Sequence, residues 1–428
     1  MSTAGRFEED EMTDDVAVPR GTNATQLGNF NETVILHAIR RADGVSRVEL
    51  GKATGLSPQT VTNICRRLLD EGLLVEGEKT TGGLGKRRTQ LHIDASARTA
   101  LGAHIDPALT TVTTLDLVGK PIDVERFPTP DDPEKAVAKI ARVLKRLIAE
   151  SGTDGVGVLG VGVGAPGPVD VARGVICDPP HLPNWRDVPV RDELAAQTGL
   201  PTVLEKDTIA AAVAETWAGT FTDGCSAIVL YLGTGIGAGL VIDGEVVRGT
   251  THSAGEAGHL VVDPDGPPCA CGLRGCINVA ASPRALVEIA THKGVLPAPG
   301  PDDNLDSRLG MLYDLADAGE PAAREIVRRG AAGVARAALT IGNLVDVSRV
   351  VLGGPYWPRM SAYILDAAPT ALEAATAASP LHPVALGGTK VGENLGAIGA
   401  ASLVLDHAYT PRPTRLVLGR PERTGRSA

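Results

Sequence analysis

The chain has 428 residues, too many for one hydrophobic core, and this length predicts two or three domains. A hydrophobic content of 43% supports well-buried cores, whereas 3% aromatic residues and 51 glycines favour α/β layers with many tight turns. The formal net charge of -10 argues against a protein that coats nucleic acid generally, although one small domain can still carry a basic face.

The two ends of the chain differ in composition from the rest. Residues 1–23 are acidic and polar, unlike the basic and then apolar pattern of a signal peptide. Residues 409–428 are rich in proline and arginine, and we expect both ends to be disordered. No apolar run approaches the length that spans a bilayer. We therefore expect a cytoplasmic protein with no membrane partner.

Two helical patterns open the ordered part of the chain. Apolar residues recur at helical spacing over 29–41, which predicts a first helix. Ser46 then provides a cap for a short helix over 48–54, and Gly55 ends it. The short second helix and the abrupt stop are typical of a helix-turn-helix.

A third helix begins at Ser57, a cap that is followed by Pro58 at the first helical position. Its apolar residues share one side. The other side carries amides, hydroxyls and guanidiniums suited to base edges and phosphates, and these are Gln59, Thr60, Asn63, Arg66 and Arg67.

Two strands, over 73–78 and 88–93, are joined by a flexible basic loop. Such a wing lays cations along phosphates or into the minor groove, and here the cations are Lys86, Arg87 and Arg88. A helical protein-interaction module with a solvated polar face is the alternative. The order and spacing of the elements favour a winged helix-turn-helix over 24–95 that binds double-stranded operator DNA.

The remaining chain contains two copies of one α/β unit. Residues 100–122 read as strand, turn, strand and reversal, and 227–247 repeat this pattern with the turn Gly233–Gly237. A hairpin that opens each of two lobes is how actin-like, ribonuclease H-like folds are duplicated. We expect a first lobe over 96–205, completed by 391–408, and a second lobe over 206–390. Helical patterns near 134–149, 321–343 and 394–406 would cover the sheets.

Half of the six cysteines fall within eight residues of the second lobe. His259, Cys269, Cys271 and Cys276 offer one imidazole and three thiolates, which is a closed tetrahedral set typical of structural zinc. Glycines inside this run allow the tight turns that bring the sulfurs together. A disulfide or unrelated core cysteines are the alternatives, and intracellular thiols at this spacing favour metal.

Glu256-Ala-Gly-His259 and the following Cys-x-Cys-Gly-x-x-Gly-Cys run resemble the signature of the ROK family of repressors, open reading frames and kinases. The resemblance extends from about Asn23 to Ala408. An N-terminal winged helix is similar to the family's transcription factors, many of which sense sugars, rather than to its stand-alone sugar kinases.

The family's kinases hold ATP phosphates with two glycine-rich turns. The second turn, Gly233–Gly237, is intact here, although a tight hairpin alone would also need these glycines. Where the first turn has the family pattern Asp-x-Gly-x-Thr, this chain has Asp106-Pro-Ala-Leu-Thr110. Pro107 removes a donor and Ala108 fills the space of the expected glycine. Because phosphoryl transfer depends on positioning, we expect no ATP binding and no catalysis.

The resemblance also implies a sugar pocket. Asp207 matches the kinases' general base, Lys206 replaces a sugar-binding asparagine, and Glu256 and His259 match a sugar-contacting pair. Asn278 stands where the family has a glutamate. These five residues would bind a sugar or sugar phosphate. In the alternative, Asp207 caps a helix, Lys206 is solvated and Glu256 only orders the zinc loop. Lys206 pairs with Asp207 or meets an acidic ligand; the sequence leaves this open.

These features predict a zinc-containing, sugar-responsive regulator, acting as a repressor and without kinase activity. Since one small winged domain rarely binds DNA tightly alone, we expect a homodimer or homotetramer. Two other classes remain open. One is a bifunctional sugar kinase with an appended DNA-binding domain, and the other is a DNA-bound scaffold that responds to a protein partner.

Overall fold

The computed structural model describes residues 24–42, 44–81, 87–150, 157–217, 221, 224–301, 303–376 and 384–411. The chain divides into two compact units. One contains the segment that ends at Arg67, Gly77–Leu91 and the segment that begins at Tyr409, and the other contains Leu68–Glu76 and His92–Ala408. The predictions of disorder over 1–23 and 412–428 lie outside the described residues. No helix among the described residues is both long and apolar enough to cross a bilayer.

The N-terminal elements have the order of a winged helix. They are α1 (Ala24–Arg40), α2 (Arg47–Thr54), α3 (Pro58–Asp70), β1 (Leu74–Thr81) and β2 (Arg87–Ile93), with the two strands paired. The predicted elements are confirmed, except that α1 begins five residues before the predicted 29, ahead of the apolar stripe.

Local chemistry explains where α2 begins and ends. The Ser46 hydroxyl accepts a hydrogen bond from the Glu49 N–H, while the Glu49 carboxylate accepts one from the Ser46 N–H. This reciprocal capping box satisfies donors that the helix itself leaves free. Gly55, at φ 71°, ends the helix in a left-handed conformation that costs glycine nothing. Ile35, Ile39 and Leu50 are fully buried, and each stabilises the unit by about 1.5–3 kcal/mol.

The larger unit contains two five-stranded mixed sheets. The first is formed by β3 (Thr99–His104), β4 (Leu109–Asp116), β5 (Pro121–Pro128), β6 (Val158–Ala165) and β9 (Thr202–Lys206). A two-stranded sheet of β7 (Val169–Asp170) and β8 (Val175–Ile176) follows β6. The second large sheet is formed by β10 (Ala227–Leu232), β11 (Ile236–Ile242), β12 (Glu245–Val247), β13 (Arg349–Gly353) and β14 (Ala385–Gly388).

The two large sheets share one topology. Their strand orders are β5-β4-β3-β6-β9 and β12-β11-β10-β13-β14, so each has the sequential order third, second, first, fourth, fifth. In each, the first three strands are antiparallel and the last two add in parallel. The duplication predicted from the repeated hairpins is therefore confirmed.

Helices occur between the strands and after them. They are α4 (Pro133–Glu150), α5 (Val190–Thr198), α6 (Asp207–Trp217), α7 (Ile277–Ala280), α8 (Pro283–His292), α9 (Leu305–Asp317), α10 (Pro321–Val345), α11 (Trp357–Thr376) and α12 (Leu395–Tyr409). The predicted helices near 134–149, 321–343 and 394–406 correspond to α4, α10 and α12 within three residues.

Two helices pack so closely on the sheets that the facing strand positions have room only for glycine. A Cβ added at Gly162 of β6 would lie 1.7 Å from the carbonyl oxygen of Ala400 in α12. A Cβ at Gly239 of β11 would lie 2.2 Å from that of Thr208 in α6. Helix α12 thus packs on the first sheet and α6 on the second. A Cβ at Gly102 of β3 would likewise lie 2.4 Å from the carbonyl oxygen of Ala397, so α12 also packs closely on the strand that precedes Asp106.

Candidate ligand site, metal cluster and DNA-binding face

A carboxylate of the first lobe binds the glycine-rich turn of the second. Asp106 follows β3, and Thr234 lies in the turn between β10 and β11. The Thr234 N–H donates to Asp106 Oδ2 at 3.1 Å and its hydroxyl donates to Oδ1 at 2.6 Å. The N–H of Ala108 also donates to Oδ1, at 2.9 Å. Both partners are buried, so this contact joins the lobes in a dry environment.

Asn278 accepts a hydrogen bond from a second backbone N–H of the same turn. Its Oδ1 accepts a hydrogen bond from the Ile236 N–H at 2.7 Å. Its amide nitrogen lies 2.3 Å from where a Cβ on Gly258 would be, and Glu256 Oε1 lies 2.9 Å from that point. Asn278 therefore connects the glycine-rich turn to the loop that carries Glu256. Its place in a sugar pocket stays a prediction, whereas its support of the turn is a contact of this structure.

Lys206 pairs with Glu256. Its Nζ lies 2.9 Å from Glu256 Oε2, and the side chain is almost fully buried. The alternative of a solvated Lys206 is therefore wrong, because β9 ends inside the protein and the lysine stem packs against Gly167. Glu256 Oε1 accepts from the Gly258 N–H at 3.2 Å. One carboxylate thus orders its own loop and neutralises a buried ammonium group.

Asp207 is the first residue of α6, directly after β9. Its Oδ1 accepts from the N–H of the next residue, Thr208, at 2.7 Å. An N-cap side chain accepts from the second or third helical residue instead, so this contact is not a helix cap. Burial raises the pKa of Asp207 to about 7, Lys206 opposes this, and the carboxylates of Asp106 and Glu256 add to it. A carboxyl group with this pKa exchanges its proton near neutral pH, which suits a general base.

A further ion-pair network lies beside these residues. Glu205, buried at the end of β9, contacts Arg248 at 3.2 Å and the His252 ring at 3.1 Å. Arg248 also reaches Asp406 of α12 at 3.7 Å. These partners are far apart in sequence and share no motif, so sequence reasoning assigned Glu205 no role. The network joins β9, the loop after β12 and α12, and thereby fixes the position of Lys206 and Asp207.

Two cavities open beside Asp106. The first has about 540 Å³ and the second about 350 Å³, the size of small-molecule pockets. Polar residues lining the first are His181, Thr234, Arg284, Glu288, Thr291, His292 and Arg308. Those lining the second include His104, Asp106, Arg126, Tyr231, Asn304, Asp306, Tyr356, Glu393 and Asn394. None of the five predicted ligand residues lines either cavity. The structure nevertheless brings Lys206, Glu256 and Asn278 close together, with the Glu256 side chain exposed.

The four predicted metal ligands converge. One ligand atom from each of His259, Cys269, Cys271 and Cys276 lies within 4.8 Å of the other three. His259 Nδ1 is 3.4 Å from Cys269 Sγ, and the sulfurs of Cys271 and Cys276 are 3.6 Å apart. These separations suit a tetrahedron with metal–sulfur distances of ~2.3 Å. If Nδ1 ligates a metal, Nε2 carries the proton and is a donor.

The electrostatics of the cluster also favour a cation. A backbone contact with Leu273 lowers the pKa of Cys271 to about 7. Burial and the neighbouring sulfurs raise the pKa of Cys276 to about 12, because thiolates this close repel one another. A divalent ion between them removes that repulsion. The residues present therefore fit a structural zinc ion.

The predicted DNA-binding residues lie mainly on the outside of α3. Gln59, Asn63, Arg66 and Arg67 are exposed, and Thr60 is half-buried. The Gln59 amide donates to Asn63 Oδ1 at 3.2 Å. Arg67 pairs with Glu32 of α1, which gives this arginine a structural contact that sequence reasoning missed. On β2, Arg87 is exposed and Arg88 lies 3.9 Å from Glu49. Lys86 lies outside the described residues.

A duplicated, actin-like α/β domain, a glycine-rich turn between its lobes and a separate winged helix define this class of protein. Residues 107–407 match the model of the ROK family, and residues 29–83 match that of the MarR family. The chain belongs to the ROK family. With its MarR-type winged helix, it is a ROK-family transcriptional regulator.

Individual relatives include repressors and kinases. The xylose repressor of Caldicellulosiruptor bescii is 28% identical over 269 residues, which are 62% of this chain and 67% of the repressor. A Thermotoga maritima glucokinase is 32% identical over 283 residues, covering 62% and 84%. A crystal structure of a ROK family transcriptional regulator, homolog of the E. coli MLC protein, superposes with a TM-score of 0.72. It is 21% identical and covers 92% of this chain and 99% of its own, a likeness of fold.

Proposed function

We propose that this protein is a sugar-responsive repressor that contains a structural zinc ion and has no kinase activity. The observation that carries the proposal, through the absence of kinase activity, is the contact of Asp106 and Asn278 with the glycine-rich turn. Phosphate binding at such a turn depends on free backbone N–H groups. Here the N–H groups of Thr234 and Ile236 already donate to side chains. Pro107 and Ala108 in the first turn further weaken a nucleotide site.

Sugar recognition is supported by the group Lys206, Asp207 and Glu256 beside Asn278. Carboxylates and amides accept and donate several directed hydrogen bonds, as a polyol requires. The repressor name of the Caldicellulosiruptor relative supports the same reading. Because Lys206 is buried and already paired with Glu256, sugar binding at this group is proposed to rearrange the Lys206–Glu256 pair. This movement is the proposed source of the signal.

Zinc is proposed to keep His259 in one orientation. Zn²⁺ supplies no chemistry in a four-coordinate site; it fixes the loop that carries its ligands. Asp263 in that loop accepts two hydrogen bonds from Arg329 of α10, at 2.7 and 3.0 Å. The loop thus connects the Glu256–His259 segment to the longest helix of the second lobe.

The test of the proposal measures operator binding and catalysis on one sample. Fluorescence anisotropy with a labelled fragment of the chain's own promoter region should show nanomolar binding, weakened by one member of a panel of pentoses, hexoses and amino sugars. A coupled assay with ATP and the same panel should show no turnover. DNA binding that no sugar changes would contradict the sensing role, and ATP-dependent turnover would contradict the absence of catalysis.

A bifunctional sugar kinase is the second candidate. The position of Asp207 at the start of α6 and its pKa of about 7 favour it, because a kinase's general base needs both. The same coupled assay decides between the candidates, and Asp207→Asn is the variant that would abolish turnover by a kinase.

The repressor is also proposed to act as a homodimer or homotetramer on a palindromic site, in the cytoplasm. Half-sites at fixed spacing let a small rearrangement of paired winged helices change affinity greatly. Sedimentation velocity, free and with operator DNA, should give a dimer or tetramer. A monomer under both conditions would contradict this mechanism.

A further inference from the structure

The charge around Asp106 bears on which sugar derivatives the cleft accepts. The Asp106 carboxylate is buried and receives three hydrogen bonds, from Thr234 N–H, Thr234 hydroxyl and Ala108 N–H. It thus occupies, as an internal anion, the donors that would hold a phosphate group. A second anion near this point would face direct repulsion in a medium of low dielectric constant.

The cations beside the cleft are already paired. Lys206, which lines neither cavity, contacts Glu256 at 2.9 Å. In the 540 Å³ cavity, Arg284 contacts Glu288 at 2.8 Å and Arg308 contacts Asp303 at 2.9 Å.

Other charged or titratable groups of the two cavities are also poor partners for a phosphate. Partial desolvation and the nearby Arg284 lower the pKa of His181, which disfavours a cationic imidazole there. In the 350 Å³ cavity, Arg126 pairs with Glu393, and the carboxylates of Asp106 and Asp306 add negative charge.

We infer that the effector is an uncharged sugar, and that Asp106 is the residue that excludes its phosphate esters. The inference deepens the proposed function and rests on it. Asp106 itself lines the smaller cavity, its partner Ala108 lines both cavities, and its partner Thr234 lines the larger one. A sugar enters with hydroxyls that donate to carboxylates. A phosphate ester brings about two negative charges to a wall whose cations are neutralised.

The first experiment uses the unmodified full-length protein and matched ligand pairs: glucose and glucose 6-phosphate, N-acetylglucosamine and its 6-phosphate, and xylose and xylose 5-phosphate. Thermal shift and release of operator DNA are measured at constant ionic strength. We expect one uncharged sugar to raise the melting temperature and release DNA. Its phosphate ester should bind at least tenfold more weakly.

Each outcome decides something different. A phosphate ester that binds as tightly as its sugar, or more tightly, overturns the selectivity and leaves the sugar-responsive repressor standing. If no member of any pair binds, the proposed function fails and the selectivity fails with it. Since this comparison needs no variant, it does not depend on whether an altered cleft folds.

The second experiment assigns the exclusion to Asp106. In Asp106→Asn the side chain keeps its size and loses its charge, so the preference for sugar over ester should fall at least threefold. Asp192→Asn is the control, because this exposed carboxylate of α5 contacts Arg191 away from the cleft. An unchanged preference in a folded Asp106→Asn protein, judged by a cooperative melt, would remove Asp106 from the role.

Discussion

Ionisation of the Asp207 carboxyl group destabilises the folded protein. Its pKa is about 7 in the folded protein, because burial disfavours the charged form, whereas an unfolded chain titrates it near 4. Between these two values the folded state holds a proton that the unfolded state has released. Stability attributable to Asp207 is therefore highest below pH 4 and falls as the pH rises towards 7, after which the loss is constant.

Replacing Asp207 by asparagine should remove this pH dependence. We expect Asp207→Asn to gain melting temperature relative to the unmodified protein, with a larger gain at pH 8 than at pH 5. The difference is bounded by about 1.4 kcal/mol per pH unit. Calorimetry across pH 5–8 measures it, with the exposed Asp187→Asn as control. An equal gain at both pH values would show that the carboxyl is not buried in its charged form.

How far a site residue can be predicted from sequence depends on how far away its partners lie. His259 and the three cysteines fall within 18 residues, so the sequence spacing itself predicts their convergence. Thr234 lies 128 residues from Asp106, and Asp406 contacts Arg248 across a similar interval. Such contacts are made by the packing of two lobes, which no local pattern encodes. The contact of Asn278 with the distant N–H of Ile236 was not predicted, for the same reason.

Between Val262 and Cys276, which are both buried, the metal-binding loop 259–276 contains no regular helix or strand. Short backbone contacts shape it, such as Cys269 N–H to the Leu273 carbonyl at 2.8 Å, and Gly275 can pack against Asp263 only because it lacks a side chain. A loop of this kind depends on cross-links for its order. The ion is therefore expected to contribute directly to the stability of the second lobe.

Replacing Cys271 by serine should release the metal. We expect bound zinc to fall from one equivalent to less than a tenth. The free energy of unfolding should fall by on the order of several kcal/mol, which lowers the melting temperature. Atomic absorption and thermal melts measure the two effects. Cys225→Ser, a half-buried thiol outside the cluster, is the matched control. Full zinc content with unchanged melting in Cys271→Ser would refute the metal assignment.

Helix α3 was predicted almost completely, because a cap, a proline and a one-sided apolar pattern are all local signals. What the pattern missed was Arg67, whose pairing with Glu32 depends on α1. Arg66 is exposed, and the side-chain amides of Gln59 and Asn63 are hydrogen-bonded to each other. Helix α3 thus presents two kinds of group to DNA: a cation and a prearranged pair of amides. The two kinds of group should have different effects on DNA binding.

Two substitutions in α3 separate these effects. Arg66→Ala should weaken binding to all DNA sequences alike and reduce the slope of log affinity against log salt by about 0.9. Asn63→Ala should cost about 1–3 kcal/mol on the operator and little on random DNA. Anisotropy titrations at several salt concentrations measure both, with the exposed Lys52→Ala of α2 as control. Equal losses of Asn63→Ala on both DNAs would place Asn63 on phosphate instead of base edges.

The proposed function requires coupling between sugar binding and operator binding. If an uncharged sugar lowers operator affinity by some factor, thermodynamic linkage requires the operator to lower sugar affinity by the same factor. The factor depends only on the difference in sugar binding between the DNA-bound and free states. The same factor must therefore be found in a titration of sugar and in a titration of operator, although the two experiments measure different signals.

Reciprocity is expected to hold for the unmodified protein at a factor of about 5–150. Calorimetric sugar titrations with and without saturating operator give one value, and anisotropy with and without saturating sugar gives the other. The Lys206–Glu256 pair lies where the sugar is proposed to act, so Lys206→Met should reduce both factors together. The exposed pair Arg173–Asp187 provides the control Arg173→Met, which should leave both unchanged. Two factors that differ beyond error would mean that sugar and DNA act on different oligomers, and a single coupled equilibrium would be excluded.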